Sequence, residues 1–203
     1  MRAPSWLPLT LAAVTLAAIS LAVARASAKG GRFGAELVAR ALEDLERVVE
    51  TAHNSGPIVD RYLADVGANP GDNWCAAASS AWIRDAAERS GDARILGVVQ
   101  LTGGAKATAD GPKRAGWYVP ASELPRAPAE LHALVPPGSV SIWDRSQPAG
   151  SSWPGHIGVL EKWTGPAEYQ SIEGNSGPAG DRVARMVRTV EDPRLEGFVI
   201  WPA

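Results

Sequence analysis

The order of patterns along the 203-residue chain predicts an α+β protein whose N-terminal helices pack on a C-terminal antiparallel β-sheet. Segments with the helical period come first, and segments in which apolar and polar residues alternate follow from residue 138 onward. Short loops, without intervening helices, join the alternating segments. This order argues against a doubly wound parallel sheet, because parallel strands need long crossover connections.

The first 28 residues have the pattern of a secretory signal peptide. A nearly uninterrupted apolar run from Trp6 to Ala24 precedes Ala26-Ser27-Ala28, a small-x-small cleavage site. The run is about as long as the ~20 residues that span a bilayer, so an uncleaved membrane anchor is the alternative. Both interpretations place residues 29–203 in the periplasm or outside the cell, with membrane contact only through an uncleaved leader.

Three helices and five strands are predicted after the leader. An N-terminal helical region at residues 29–53 precedes the main unit at residues 54–203. The helices are predicted at Ala35 to His53, Ile58 to Val66 and Ala76 to Arg89, the last capped by Asp72 or Asn73 and stopped by Gly91. Residues 92–137 are predicted to hold at most short helices. The strands are predicted at Ser139 to Trp143, His156 to Trp163, Tyr169 to Glu173, Arg182 to Val190 and Phe198 to Trp201.

The charge balance excludes a strongly basic nucleic-acid-binding protein. The formal net charge is −2, and removal of residues 1–28 takes away Arg2 and Arg25 and no acid, which leaves −4. Such a chain has no basic surface for phosphates or for anionic lipid. We therefore expect neither a nucleic-acid partner nor a lipid-binding face.

The single cysteine, Cys75, is the first candidate functional residue. It has no partner for an internal disulfide, so it is either a buried spectator or a reactive thiol. It stands immediately before a predicted helix, where first-turn amides and the helix dipole stabilise a thiolate. Because the thiolate is the attacking species, this position favours the reactive interpretation.

A nucleophilic cysteine needs a base and a group that orients the base. His156 opens a predicted strand, and Glu173 and Asn175 end the next one. In an extended chain the last two side chains point the same way, so both are expected to reach towards the imidazole. The Cys75 amide would hold the oxyanion. Together these residues predict a cysteine hydrolase.

Other catalytic chemistries fit the sequence poorly. One cysteine and three histidines, without CxxC or HExxH spacing, make a zinc site improbable, so no metal or cofactor is expected. There is no Gly-x-Ser-x-Gly elbow, P-loop or dinucleotide-binding fingerprint.

Four segments resemble CHAP domains, the cysteine- and histidine-dependent amidohydrolases and peptidases of the papain-like NlpC/P60 superfamily. They are Asn73-Trp74-Cys75-Ala76-Ala77, Pro137-Gly138-Ser139-Val140-Ser141-Ile142-Trp143, Gly155-His156-Ile157-Gly158-Val159-Leu160-Glu161 and Ile172-Glu173-Gly174-Asn175. The resemblance covers residues 54 to 203 in order. It implies a papain-like fold, Cys75 as nucleophile, His156 as base, and Glu173 and Asn175 as polar partners.

The resemblance also implies a substrate, the amide bonds of peptidoglycan, cut either between sugar and peptide or within the peptide. An export signal agrees with a substrate outside the cytoplasmic membrane. Trp74 and Trp153 flank the expected catalytic residues and are candidates for substrate contact, with core packing as the alternative. A silent wall-binding module, a secreted antibacterial toxin and a hydrolase of other amides remain alternative functions.

Overall fold

The computed structural model of the protein describes residues 31–45, 47–146 and 155–202. The leader and Trp153 therefore lie outside the described residues. No helix in these ranges is both long enough and apolar enough to cross a membrane.

Helices occupy the N-terminal half and a sheet occupies the C-terminal part, as the sequence predicts. The helices are α1 (Gly31–Asp44), α2 (Pro57–Asp65), α3 (Cys75–Ser90), α4 (Ala93–Val98), α5 (Ala105–Thr108), α6 (Asp110–Arg114) and α7 (Pro128–Leu134), with a 3₁₀ turn at Ala121–Glu123. The strands are β1 (Tyr118–Pro120), β2 (Val140–Asp144), β3 (Gly155–Trp163), β4 (Glu168–Ser176), β5 (Arg182–Thr189) and β6 (Leu195–Val199).

The six strands form one antiparallel sheet in the order β1-β6-β2-β3-β4-β5. Helix α3 packs on β3 and β4 near the middle of the sheet, and α1 packs on α3. Buried residues of α1, α2 and α3 share one core with Ile157 and Val159 of β3, while Leu160 belongs to a second core with Leu131 of α7. Helix α3 is thereby fixed against the two strands that carry His156 and Glu173.

The first predicted helix is too long. Helix α1 ends at Asp44, and the chain then runs beside β5, where the Val183 amide donates to Val48 (2.9 Å) and the Glu50 amide donates to Asp181 (2.8 Å). Two consecutive β-branched valines, at 48 and 49, favour this extended path over a helix. Tertiary pairing with β5 thus overrides the helical pattern.

The predicted cap of α3 is also wrong. The N-cap is Trp74, without a side-chain cap hydrogen bond, and Asp72 instead accepts from the Asn69 amide in the preceding turn (2.9 Å). Gly91 ends the helix in the left-handed conformation, with φ of 74°, as expected. Helix α3 begins at Cys75 itself, so the thiol stands in its first turn.

Candidate active site

Cys75 combines a buried side chain with access to a cleft. The residue is only 5% exposed, because α3 packs against the sheet, yet it lines a cleft of about 290 Å³. Glycines at 71, 103, 104 and 155 contribute much of the cleft wall. These four positions carry no side chain that would narrow the cleft beside the thiol.

His156 lies beside Cys75 and is fully buried. It opens β3, where it pairs across the strands with Trp143 of β2. Its Nε2 lies 2.6 Å from Oε2 of Glu173 and 3.2 Å from the hydroxyl of Ser176. Because Nε2 is occupied, Nδ1 is the nitrogen available to the thiol.

The thiol and the imidazole interact electrostatically, although Nδ1 makes no hydrogen bond of standard geometry. Long or poorly aligned contacts are common in catalytic pairs before substrate binds. The two side chains are therefore neighbours, without the aligned hydrogen bond through which a proton would pass.

The fully buried Glu173 carboxylate is held by three side chains. Besides His156, Arg188 of β5 donates to both oxygens, from Nε to Oε1 (2.8 Å) and from Nη2 to Oε2 (2.6 Å), and Ser176 donates to Oε2 (3.2 Å). The guanidinium of Arg188 also lies over the ring of Trp143, with its central carbon 5.1 Å from the centroid. A fixed bidentate pair keeps the carboxylate aimed at the imidazole.

Each charged group at the site stabilises the ionised form of its neighbour. Burial alone would raise the pKa of Glu173, but His156 and Arg188 lower it to about 2, so the carboxylate is ionised. Burial alone would lower the pKa of His156, yet Glu173 and Cys75 raise it above its ordinary value. Burial likewise favours the neutral thiol, but His156, Arg145 and the Ala76 amide lower the pKa of Cys75. The net shifts favour a thiolate–imidazolium pair.

A glycine on β3 makes room for the Glu173 side chain. A Cβ on Gly158 would lie 2.3 Å from Oγ of Ser171 and 2.7 Å from Cγ of Glu173. Any larger residue at this position would therefore displace the carboxylate from His156. The Gly-x-x-Gly pattern around His156 thus has a steric cause at its second glycine.

Asn175 does not join Glu173 at His156. Strand β4 has an irregular register between Glu173 and Ser176, and Asn175 has φ of 53°, so the alternation expected of an extended chain is lost. Its amide nitrogen lies 2.8 Å from the Gly180 carbonyl, 3.0 Å from Oδ1 of Asn54 and 3.2 Å from Oε1 of Glu50. Asn175 lines the cleft and ties its wall to the segment before α2.

Trp74 is placed in the core, which corrects its assignment as a substrate contact. The side chain is fully buried, Nε1 donates to Oε1 of Glu50 (2.7 Å), and the ring packs against Gly174. The indole therefore anchors the start of α3 and does not face the cleft. The other candidate, Trp153, lies outside the described residues.

Sequence reasoning missed Arg188, Ser176 and Arg145. Arg188 and Ser176 belong to the strand segments that follow the recognised motifs, and no local pattern distinguishes them from ordinary strand residues.

Among the described residues, no three His, Cys, Asp or Glu side chains are grouped so that they could hold a metal ion.

Comparisons of the chain with family models, with curated proteins and with solved structures gave no significant match.

Proposed function

We propose that this protein is a cysteine hydrolase of the CHAP type, with a papain-like arrangement of α3 against the sheet. The observation that carries the proposal is Cys75 in the first turn of α3, open to a cleft and beside a histidine that a buried carboxylate holds. A structural cysteine needs none of these neighbours, since a buried thiol behaves as a small apolar side chain.

The arrangement supports a two-step acyl transfer. The Cys75 thiolate attacks the amide carbonyl, and the backbone amide at the start of α3 stabilises the oxyanion. The His156 imidazolium then donates its proton to the leaving amine as the carbon–nitrogen bond breaks, which leaves a thioester. Neutral His156 next takes a proton from water as the water oxygen attacks the thioester, and the carbon–sulfur bond breaks, which frees the carboxylic acid and restores the thiolate–imidazolium pair.

The proposed substrate is peptidoglycan, at an N-acetylmuramoyl-L-alanine amide or at a peptide bond of the stem. It rests on the CHAP-like segments around Cys75 and His156 and on the signal-peptide pattern predicted for residues 1–28. The cleft itself agrees with a slender peptide, because its glycine-rich walls leave backbone groups accessible.

Purified sacculi incubated with a protein comprising residues 29–203 provide the direct test. We expect release of soluble fragments with new termini, identified by mass spectrometry, and loss of that release in Cys75→Ser and His156→Ala variants. Undiminished release by Cys75→Ser would refute the mechanism. A reactive Cys75 thiol without release of sacculus fragments would show that peptidoglycan is not the substrate and would favour another amide.

A further inference from the structure

Arg145 lines the same cleft as Cys75. Arg145 directly follows β2 and is exposed. Neighbouring cations are already paired: Arg188 with Glu173, Arg194 with Asp192, and Lys106 with Asp144 and Glu196. In the ranges that the structure describes, no carboxylate lies within ion-pair distance of Arg145.

A positive charge at Arg145 offsets the repulsion between the Cys75 thiolate and an anionic substrate. An anionic substrate that approaches the Cys75 thiolate is repelled unless a positive charge lies nearby, and Arg145 is the cleft-lining cation that interacts with the sulfur. Asp72 also lines the cleft, but its Oδ2 accepts from the Asn69 amide and no ion pair joins it to Arg145. The guanidinium therefore remains available for a ligand.

We infer that the cleft takes an amide substrate that carries a carboxylate close to its scissile bond, and that Arg145 pairs with this carboxylate. The inference rests on the proposed function and narrows its substrate class. A guanidinium suits the task because its planar donors match the two oxygens of a carboxylate. Peptidoglycan stem peptides with free carboxylates meet this requirement, and their amidated counterparts do not.

The first test measures binding without turnover. Muropeptides with free carboxylates, and the same muropeptides with those carboxylates amidated, compete with iodoacetamide for Cys75. We expect the free acids to protect the thiol at roughly tenfold to hundredfold lower concentration, the usual value of a charge-assisted contact. In Arg145→Gln the free acids and the amidated peptides should protect the thiol at about the same concentration.

The measured quantity is the ratio of the protective concentrations of the two peptides. Arg145→Gln also changes the reactivity of the thiol itself, but that change affects both peptides equally and cancels in the ratio. Arg194→Gln is the matched control, since Arg194 is a nearby cation already paired with Asp192 (2.7 Å). This control should keep the wild-type ratio. Equal protection by both peptides in the wild-type protein, or an unchanged ratio in Arg145→Gln, would overturn the inference.

A parallel turnover assay separates the inference from the proposed function. Cleavage of both peptides with equal efficiency would support the hydrolase and contradict the role of Arg145. Carboxylate-dependent protection that vanishes in Arg145→Gln, without cleavage of either peptide, would support the anion site and contradict the hydrolase. Preferential cleavage of the free acid, lost in Arg145→Gln, would support both.

Discussion

The Glu173→Gln substitution tests the charge network most sharply. The carboxylate is fully buried and joins His156 at 2.6 Å to Arg188 at 2.6 and 2.8 Å. Its pKa falls from 4.5 to about 2, and at 1.36 kcal/mol per unit this corresponds to on the order of 3 kcal/mol of favourable interaction. The amide keeps the shape of the side chain but removes the charge.

Two results are expected from this variant. The free energy of unfolding at pH 7, measured in urea, should fall by roughly 3 kcal/mol, because Arg188 loses its charged partner. The rate of Cys75 alkylation at pH 7 should fall about tenfold or more, because without the carboxylate the pKa of His156 falls and less imidazolium is present to stabilise the thiolate. The midpoint of the alkylation pH profile should accordingly move upwards.

Glu161→Gln is the matched control. Glu161 forms the same bidentate pair with Arg185, at 2.6 and 2.9 Å, but on the surface and away from the site. Its loss should cost less than about 1 kcal/mol and leave the alkylation profile unchanged. A wild-type alkylation profile in Glu173→Gln would refute the reasoning that this carboxylate sustains the ion pair.

Four further predictions follow from the same geometry. The lowered pKa of Glu173 stabilises the fold above its unfolded value of 4.5, so the stability gap between wild type and Glu173→Gln should close as pH falls from about 4.5 to about 2. The rate of hydrolysis should rise with pH as Cys75 ionises, and this rise should lie below pH 9.0, the ordinary pKa of a thiol. The rate should fall again above pH 6.5, the ordinary pKa of an imidazole, as His156 loses its proton. A rate that does not depend on pH would contradict the thiolate–imidazolium pair. Gly158→Ala should slow Cys75 alkylation and cost about 1–3 kcal/mol in urea unfolding, because the new methyl group meets Glu173. Asp44→Asn should lower the free energy of unfolding by about 3–5 kcal/mol, because the buried Oδ2 of Asp44 lies 2.8 Å from both Nη1 of Arg40 and Nε1 of Trp82. The control Asp65→Asn, at an exposed ion pair with Arg84, should cost under about 1 kcal/mol.

The sequence predicts the architecture well where the hydrophobic period is strong. Helices α2 and α3, and strands β2 to β6, match predicted segments with bounds shifted by a few residues. The change from helical period to alternation near residue 138 correctly indicates helices followed by an antiparallel sheet. Strand β1 was missed, because three residues within a segment rich in turns carry no readable alternation.

The site was predictable only where a residue type already suggests chemistry. A helix start and two adjacent strands carry Cys75, His156 and Glu173, and they place His156 2.6 Å from Glu173 and next to Cys75. Asn175 departs from the expectation because a bulge, invisible in the sequence, turns it away from His156. Trp74 departs because burial of an indole depends on its tertiary neighbours, here Glu50 and Gly174.

Arg188 illustrates a different limit of sequence reasoning. Strand β5 alternates regularly, so Arg185 is expected on the opposite face from Arg182 and Arg188, but the pattern does not show which face or which arginine lies near the site. The sheet register places Arg188 opposite Tyr169, from where its guanidinium reaches Glu173, while Arg185 reaches Glu161 on the surface. Only the pairing of β4 with β5 decides which arginine supports the site.

In the proposed mechanism the sulfur of Cys75 becomes covalently attached to the acyl half of an amide substrate. Acid quenching of the full chain during turnover of muropeptides, followed by peptide mapping in a mass spectrometer, measures this directly. We expect a thioester on the Cys75 peptide whose added mass equals that acyl half, and no such adduct in His156→Ala. Product formation without any adduct at Cys75, and with full activity in Cys75→Ala, would contradict it.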